Sequence, residues 1–185
     1  NYVGVSKERV KGWVAGINHL AWFLRFEVDG QDAYPKLIKA MQNPEIFSQD
    51  TVRFEVMKQF GYFVTESTRH MSEYTPYFRT DEQTIEDFNL DQIRQDLQRR
   101  TVRVDDHYSQ LLEDANTDRT LTAERSDEYA CQIIEAMESD RPIVINGNVP
   151  NEGLIDNLLN LSSVEVPILI DRLGFHPMAV GELPG

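Results

Sequence analysis

Four short stretches of the chain collect the side chains from which a chemical site could be built. The first is Asn18-His19, a polar pair at the mouth of the apolar run Leu20 to Leu24, Phe26 and Val28. The second is Glu66, His70, Glu73 and Tyr74 within YFVTESTRHMSEYTPYFRT, residues 62–80. The third is the asparagine group Asn146, Asn148 and Asn151 in NGNVPN, and the fourth is Glu165 with Asp171 around VEVP. An imidazole offers a metal ligand or a proton relay, and a carboxylate offers a base or a ligand. Amides, carboxylates and aromatic faces together are the parts of a carbohydrate site. Each group also has a plainer reading. His19 suits a hydrogen-bonded structural histidine, Tyr74, Tyr77 and Phe78 suit a core, and the asparagines suit turns. Glu66 and Glu73 read equally well as solvated loop carboxylates. The signatures of a dinucleotide loop, a phosphate loop, a C-x-x-C pair and an H-E-x-x-H helix are missing.

The elements that must position these groups follow from pattern. Residues 6–14 read as a helical turn that Ser6 caps, and residues 16–28 as a strand closed by the turn dipeptide Asp29-Gly30. A short helix is expected near 34–42. In SQDTVRFEVMKQFG, Val52, Val56, Met57 and Phe60 recur at helical spacing and Gly61 stands at the C-terminal cap. Residues 62–80 show no sustained period and read as a functional loop. From 84 to 115 the chain is charged and helical, with Leu90, Ile93, Leu97, Val104, Leu111 and Leu112 as a sparse apolar face. SDEYACQIIEAMES makes a helix capped by Ser126, with Asp127 and Glu128 at its positive end and Ala130, Ile133, Ile134 and Met137 facing inward. Cys131 on that helix reads as a small buried thiol. PIVING (142–147) is a buried strand and NVPNEG a turn. SSVEVPILID is a second strand, which Pro167 marks as an edge or a bulge. The expected class is α+β, one domain over residues 1–185.

Composition limits the partners. With 18 basic against 31 acidic residues, the chain carries a formal charge of −13 at pH 7. That field repels nucleic acid and anionic membrane, so neither is expected as a partner. No apolar span reaches transmembrane length, no leader is visible, and Asn1 hints at a chain cut from something longer. A single cysteine excludes an internal disulfide and fits a reducing, cytoplasmic compartment.

The motifs AGINHLAWFLRFE, GYFVTESTRHMSEYTPYF, NGNVPNEGLIDNL and VEVPILIDRLGFHPMAVGELP, in that order, strongly resemble the second half of glycoside hydrolase family 4. The nearest resemblance is to its α-galactosidase and α-glucuronidase-like members, and it is weakest over 84–123. It implies an α+β C-terminal domain related to that of the lactate and malate dehydrogenases. It also implies a glycosidase that uses NAD and Mn2+, an exception to the two-carboxylate scheme. In such enzymes NAD oxidises the sugar at C3, a base removes the C2 proton, the aglycone leaves, water adds and the hydride returns. By this resemblance His19 is a metal ligand and Glu66 holds the place of the base, for which its pKa would have to be raised. Asn18, His70, Asn148 and Asn151 are then expected at the substrate or around the metal. The family's NAD-binding domain and its upstream cysteine ligand are not in this chain, and Cys131 is not that cysteine. The chain alone is therefore expected to bind neither NAD nor Mn2+ tightly and to be inactive. An unphosphorylated or uronic glycoside substrate, an N-terminal NAD-binding domain and a homo-oligomer are the expected partners. The rival reading is a non-catalytic sugar-binding or assembly module, and a weaker one is a 2-hydroxy acid dehydrogenase-like domain.

Overall fold

The computed structural model describes residues 2–90, 106–117 and 128–184. The strands are β1 (Val10–Ile17), β2 (Leu20–Val28), β3 (Gln31–Asp32), β4 (Ile143–Pro150), β5 (Ser163–Asp171) and β6 (Gly174–Pro177). The helices are α1 (Tyr34–Met41), α2 (Pro44–Phe47), α3 (Thr51–Phe60), α4 (Thr68–Tyr74), α5 (Glu82–Asp87), α6 (residues 106–115) and α7 (Ala130–Glu138). All described strand pairs in the sheet are antiparallel, in the order β3-β2-β1-β5-β4, with β6 added to β5. Helices and an antiparallel sheet segregated in this way are the α+β arrangement expected. No helix among the described residues is long and apolar enough to cross a membrane.

Several expectations are corrected. The strand expected over 16–28 is one arm of a hairpin, whose other arm, β1, takes residues expected to be helical. Only Lys7–Arg9 form a 3-10 turn, and the Ser6 side chain makes no cap bond. Val10, Trp13 and Val14 favour a pleated surface, and pairing with β2 decides the matter. Within the expected 62–80 loop, Ser67 caps the seven-residue helix α4 by accepting from the His70 N–H. Part of the expected NVPNEG turn, up to Pro150, continues β4. Pro167 lies mid-sheet, not at an edge. Its carbonyl accepts from Met178 N, so its missing N–H falls on the side where β5 passes from β1, paired at Glu165, to β6, paired from Ile168. On α7 only Ala136 is buried and Ile133 packs with it, whereas Ala130, Ile134 and Met137 face out. Cys131 is exposed. The helix over 51–60 forms as expected, and Gly61 ends it at φ 79°, donating to Met57 O. Ser126, Ile93, Leu97 and Val104 lie outside the described residues.

One apolar cluster joins Ala15, Val164, Val166, Ile168 and Ile170 of the sheet to Ala136 and Ile155. Two others pack α1, α3 and α4 against β2, through Val52, Val56, Val64 and Met71 and through Leu37, Phe54, Met57 and Phe63. Two tyrosines seal this second half. Tyr2 donates to Asp50 Oδ2 at 2.8 Å. Tyr34 donates to the Phe23 carbonyl and accepts from Phe63 N at 3.1 Å. Burial first, and for Tyr2 the Asp50 carboxylate beside it, push both hydroxyls up to about 12. An unfolded tyrosine ionises near ~10, so the folded state holds these protons longer. Their stabilisation is fully present below pH ~10 and is lost as pH rises through about 12. The expected result is a urea midpoint that falls over that range, and falls less in the Tyr2→Phe/Tyr34→Phe double variant. Equal slopes in the two proteins would refute the assignment.

Candidate metal and substrate site

The β1–β2 hairpin closes through two residues, Asn18 and His19, between the paired Ile17 and Leu20. His19 takes the left-handed conformation, φ 68°, at the second turn position, where a positive φ sharpens the reversal. The segment after α3 then runs along the free edge of β2. Phe23 N donates to Phe63 O at 2.8 Å, Thr65 N donates to Ala21 O at 3.0 Å, and Val64 bridges Trp22. This delivers Glu66 beside the hairpin turn. The Ser67 cap then starts α4, which returns His70 one helical turn later.

The three side chains converge. Glu66 Oε1 lies 2.8 Å from His19 Nδ1, and Glu66 Oε2 lies 2.7 Å from His70 Nδ1. One donor atom from each residue falls within 4.8 Å of the others. Tyr74, a turn beyond His70, stacks on the His19 ring at 4.9 Å with the planes 18° apart. The two imidazoles meet edge to face at 5.4 Å. Two imidazole nitrogens and a carboxylate oxygen suit a first-row divalent ion, manganese included. The donor set therefore fits the metal that the sequence resemblance implies, although a carboxylate bridging two imidazoles also holds together without one.

Burial pulls the Glu66 carboxyl up, but hydrogen bonds from His70 and His19, with their charge, outweigh it and hold the group below the usual carboxylate range. That is the reverse of what a general base working near neutral pH requires. In this structure Glu66 lies between two imidazoles and bonds both of them. Glu165 differs. Burial first, then the Glu66 charge, push its carboxyl up, with His19 partly opposing them.

The remaining candidates divide. Asn18 is exposed on the turn next to His19, and Asn148 is exposed on β4 opposite Glu165. Asn151 is not available to a substrate. It is 2% exposed, its Oδ1 accepts from Leu154 N and Ile155 N, and its amide donates to the carbonyls of Ile155, Leu158 and Leu159. Its amide is consumed in clasping the loop after β4. Glu73 receives Arg69 at 3.0 Å on the outer side of α4. Asp171 does not join Glu165. It lies six residues along the strand, ~20 Å away, where it accepts from Leu173 N and pairs with His176.

The sequence profile of the family 4 glycosyl hydrolase C-terminal domain matches residues 14–185. The chain belongs to glycosyl hydrolase family 4. This family 4 domain is 40% identical to an α-galactosidase of Bacillus subtilis over 98% of its own length and 42% of that protein's. It is 24% identical to an α-galacturonidase of Lachnoclostridium phytofermentans over 92% of its length and 40% of that protein's. The chain thus spans about two-fifths of the curated relatives it matches. The fold superposes on a 6-phospho-α-glucosidase from gut microorganisms, solved with NAD and Mn2+, with a TM-score of 0.66 at 20% identity. The alignment covers 99% of the family 4 domain and 44% of that chain.

Proposed function

We propose that this domain supplies the metal- and substrate-contacting half of an NAD- and manganese-dependent glycosidase acting on an α-galactoside or a related O-glycoside. The observation that carries the reading is the His19–Glu66–His70 convergence, assembled from a hairpin turn, the segment before α4 and α4 itself, with His19 and Glu66 47 residues apart in the chain. When bound, NAD supplies reversible oxidation of a sugar hydroxyl, and the metal polarises the resulting carbonyl as a Lewis acid. The chain's own part is to hold and orient. Glu66 presents both imidazoles, and Tyr74 fixes the plane of the His19 ring. Asn18 and Asn148 offer amides to sugar hydroxyls. NAD and the remaining metal ligands come from an N-terminal dinucleotide-binding half, so the domain alone is inactive. Assembly as a homo-oligomer uses the 84–115 stretch, where Tyr108, Leu111 and Leu112 are exposed. The lone cysteine suits work in the cytoplasm.

The test joins this domain to the NAD-binding half of the Bacillus subtilis α-galactosidase and follows hydrolysis of a nitrophenyl α-galactoside with NAD and Mn2+. Activity is expected from the joined protein only, and is lost on chelation. Hydrolysis by the isolated chain would sink the division of labour. A folded but inactive joined protein would favour a sugar-binding or assembly module.

A further inference from the structure

One carboxylate near the site has no role in the geometry described so far. Glu165 sits mid-strand in β5, half-buried, and no hydrogen bond or ion pair holds it among the described residues. Among the described residues no buried side-chain polar atom lacks a partner, so the Glu165 carboxylate keeps access to solvent and is free to accept donors from a ligand. Its place in the register says which ligand. Glu165 pairs with Asn148 on β4 and with Gly16 on β1, and Gly16 pairs in turn with Ala21 on β2. Residues directly opposite in an antiparallel sheet share a face, with Cβ atoms ~5 Å apart. Glu165 and the exposed Asn148 are therefore side by side on one face. From Glu165 toward β2 the row holds only a glycine and an alanine. The row ends where Thr65 bonds the Ala21 carbonyl, one residue before Glu66. The small residues are imposed by packing: a Cβ on Gly16 would lie 2.5 Å from the Ala21 Cα. No bulky side chain of the row screens Glu165 from the His19–Glu66–His70 cluster, and the charges of Glu66 and His19 act on it. Glu165 does not join the cluster as a ligand.

We infer that Glu165 and Asn148 form a substrate-reading pair that takes hydroxyl groups of an uncharged hexoside and discriminates against hexuronides and sugar phosphates. The inference rests on the glycoside reading above and narrows its substrate class. A carboxylate accepts two hydroxyl donors at once, and an adjacent amide both accepts and donates, which matches vicinal hydroxyls on a sugar ring. An anionic sugar would bring a further negative charge against Glu165 and Glu66. The cation nearest in sequence, Arg69, is tied to Glu73 at 3.0 Å. Like charges a few ångströms apart in a partly dry site cost more than a tenfold change in affinity requires.

The test is an NMR titration of the 15N-labelled 185-residue chain with methyl α-galactoside and methyl α-galacturonide, in wild type, Glu165→Gln and Asn148→Ala. In wild type the galactoside is expected to shift the Asn148 side-chain amide and to bind about tenfold more tightly than the galacturonide. Glu165→Gln, which keeps shape and removes charge, should bring that ratio close to one. Asn148→Ala, at an exposed position, should weaken both sugars alike. Perturbation around His19 and His70 with the Asn148–Glu165 pair unmoved would overturn the inference and leave the glycoside reading standing. A galacturonide preference in wild type, or a ratio unchanged in Glu165→Gln, would do the same. If neither sugar shifts any resonance in either group, the inference falls, while the glycoside reading is decided by hydrolysis in the joined protein.

Discussion

Titrated with Mn2+ in a calorimeter, the purified chain is expected to take up one ion, and His19→Ala to lose that binding. Two imidazoles and a carboxylate converge within 4.8 Å, so a partial site exists before any second domain arrives. Manganese sits at the weak end of the divalent series, and three protein donors hold it modestly. Removing outer contacts from a metal site commonly costs ~10–100-fold, so deleting a ligand should cost at least the upper end. His70→Ala and Glu66→Gln carry the sharper information. Family resemblance alone assigns only His19 to the metal, whereas the geometry makes Glu66 and His70 equal members of the donor set. A large loss in all three variants supports the three-residue site. Full binding in His70→Ala would return His70 to the substrate side and leave Glu66 as its anchor. Undiminished binding in His19→Ala would contradict the metal assignment itself.

Local signals made part of this legible from sequence. The helix over 51–60 has apolar residues at helical spacing and a glycine at its end, and both act within a few residues. His19, Glu66 and His70 could each be singled out as candidates, because the quoted motifs carry them. Their union was not, since Glu66 reaches His19 only after α3 and the 63–65 segment have run back along β2. The hairpin was hidden because apolar residues continue through both arms and Asn-His is not a strong turn dipeptide. Asn151 misled for a different reason. An asparagine in an N-G-N-V-P-N stretch advertises a polar turn, yet burial and five side-chain hydrogen bonds depend on Leu154 to Leu159 folding over it. Pro167 read as an edge residue, but the change of partner from β1 to β6 is a property of the whole sheet. Glu165 lay in plain view as one of two acidic residues of one strand, and only register showed which one lies in the row that runs toward the site.

The largest stability effect is expected at Asp50, where removal of one carboxylate should also reach the site. Asp50 is 5% exposed and receives Tyr2 Oη at 2.8 Å, Arg53 Nη1 at 2.8 Å and Thr68 Oγ1 at 2.5 Å. Arg53 in turn donates to the Val64 carbonyl from Nε and Nη2 and lies over the Phe63 ring at 4.2 Å. One acid thus joins the N-terminal segment, α3, the 63–65 edge segment and α4. Asp50→Ala leaves a mostly buried guanidinium without its counter-charge, a change that costs about 3–5 kcal/mol. Urea unfolding should show that loss, and Asp50→Asn, which keeps an acceptor, should lose less. A loss below about 1 kcal/mol would contradict the hub, because that is the size of a surface pair. The second readout is Mn2+ affinity of the protein that remains folded. Glu66 follows Thr65 directly, and His70 rides on the helix whose Thr68 is fixed by Asp50. If affinity falls with stability, the hub positions the donors. If stability falls and affinity holds, the hairpin turn and the Ser67 cap suffice to set the site, and the Asp50 network serves the core alone.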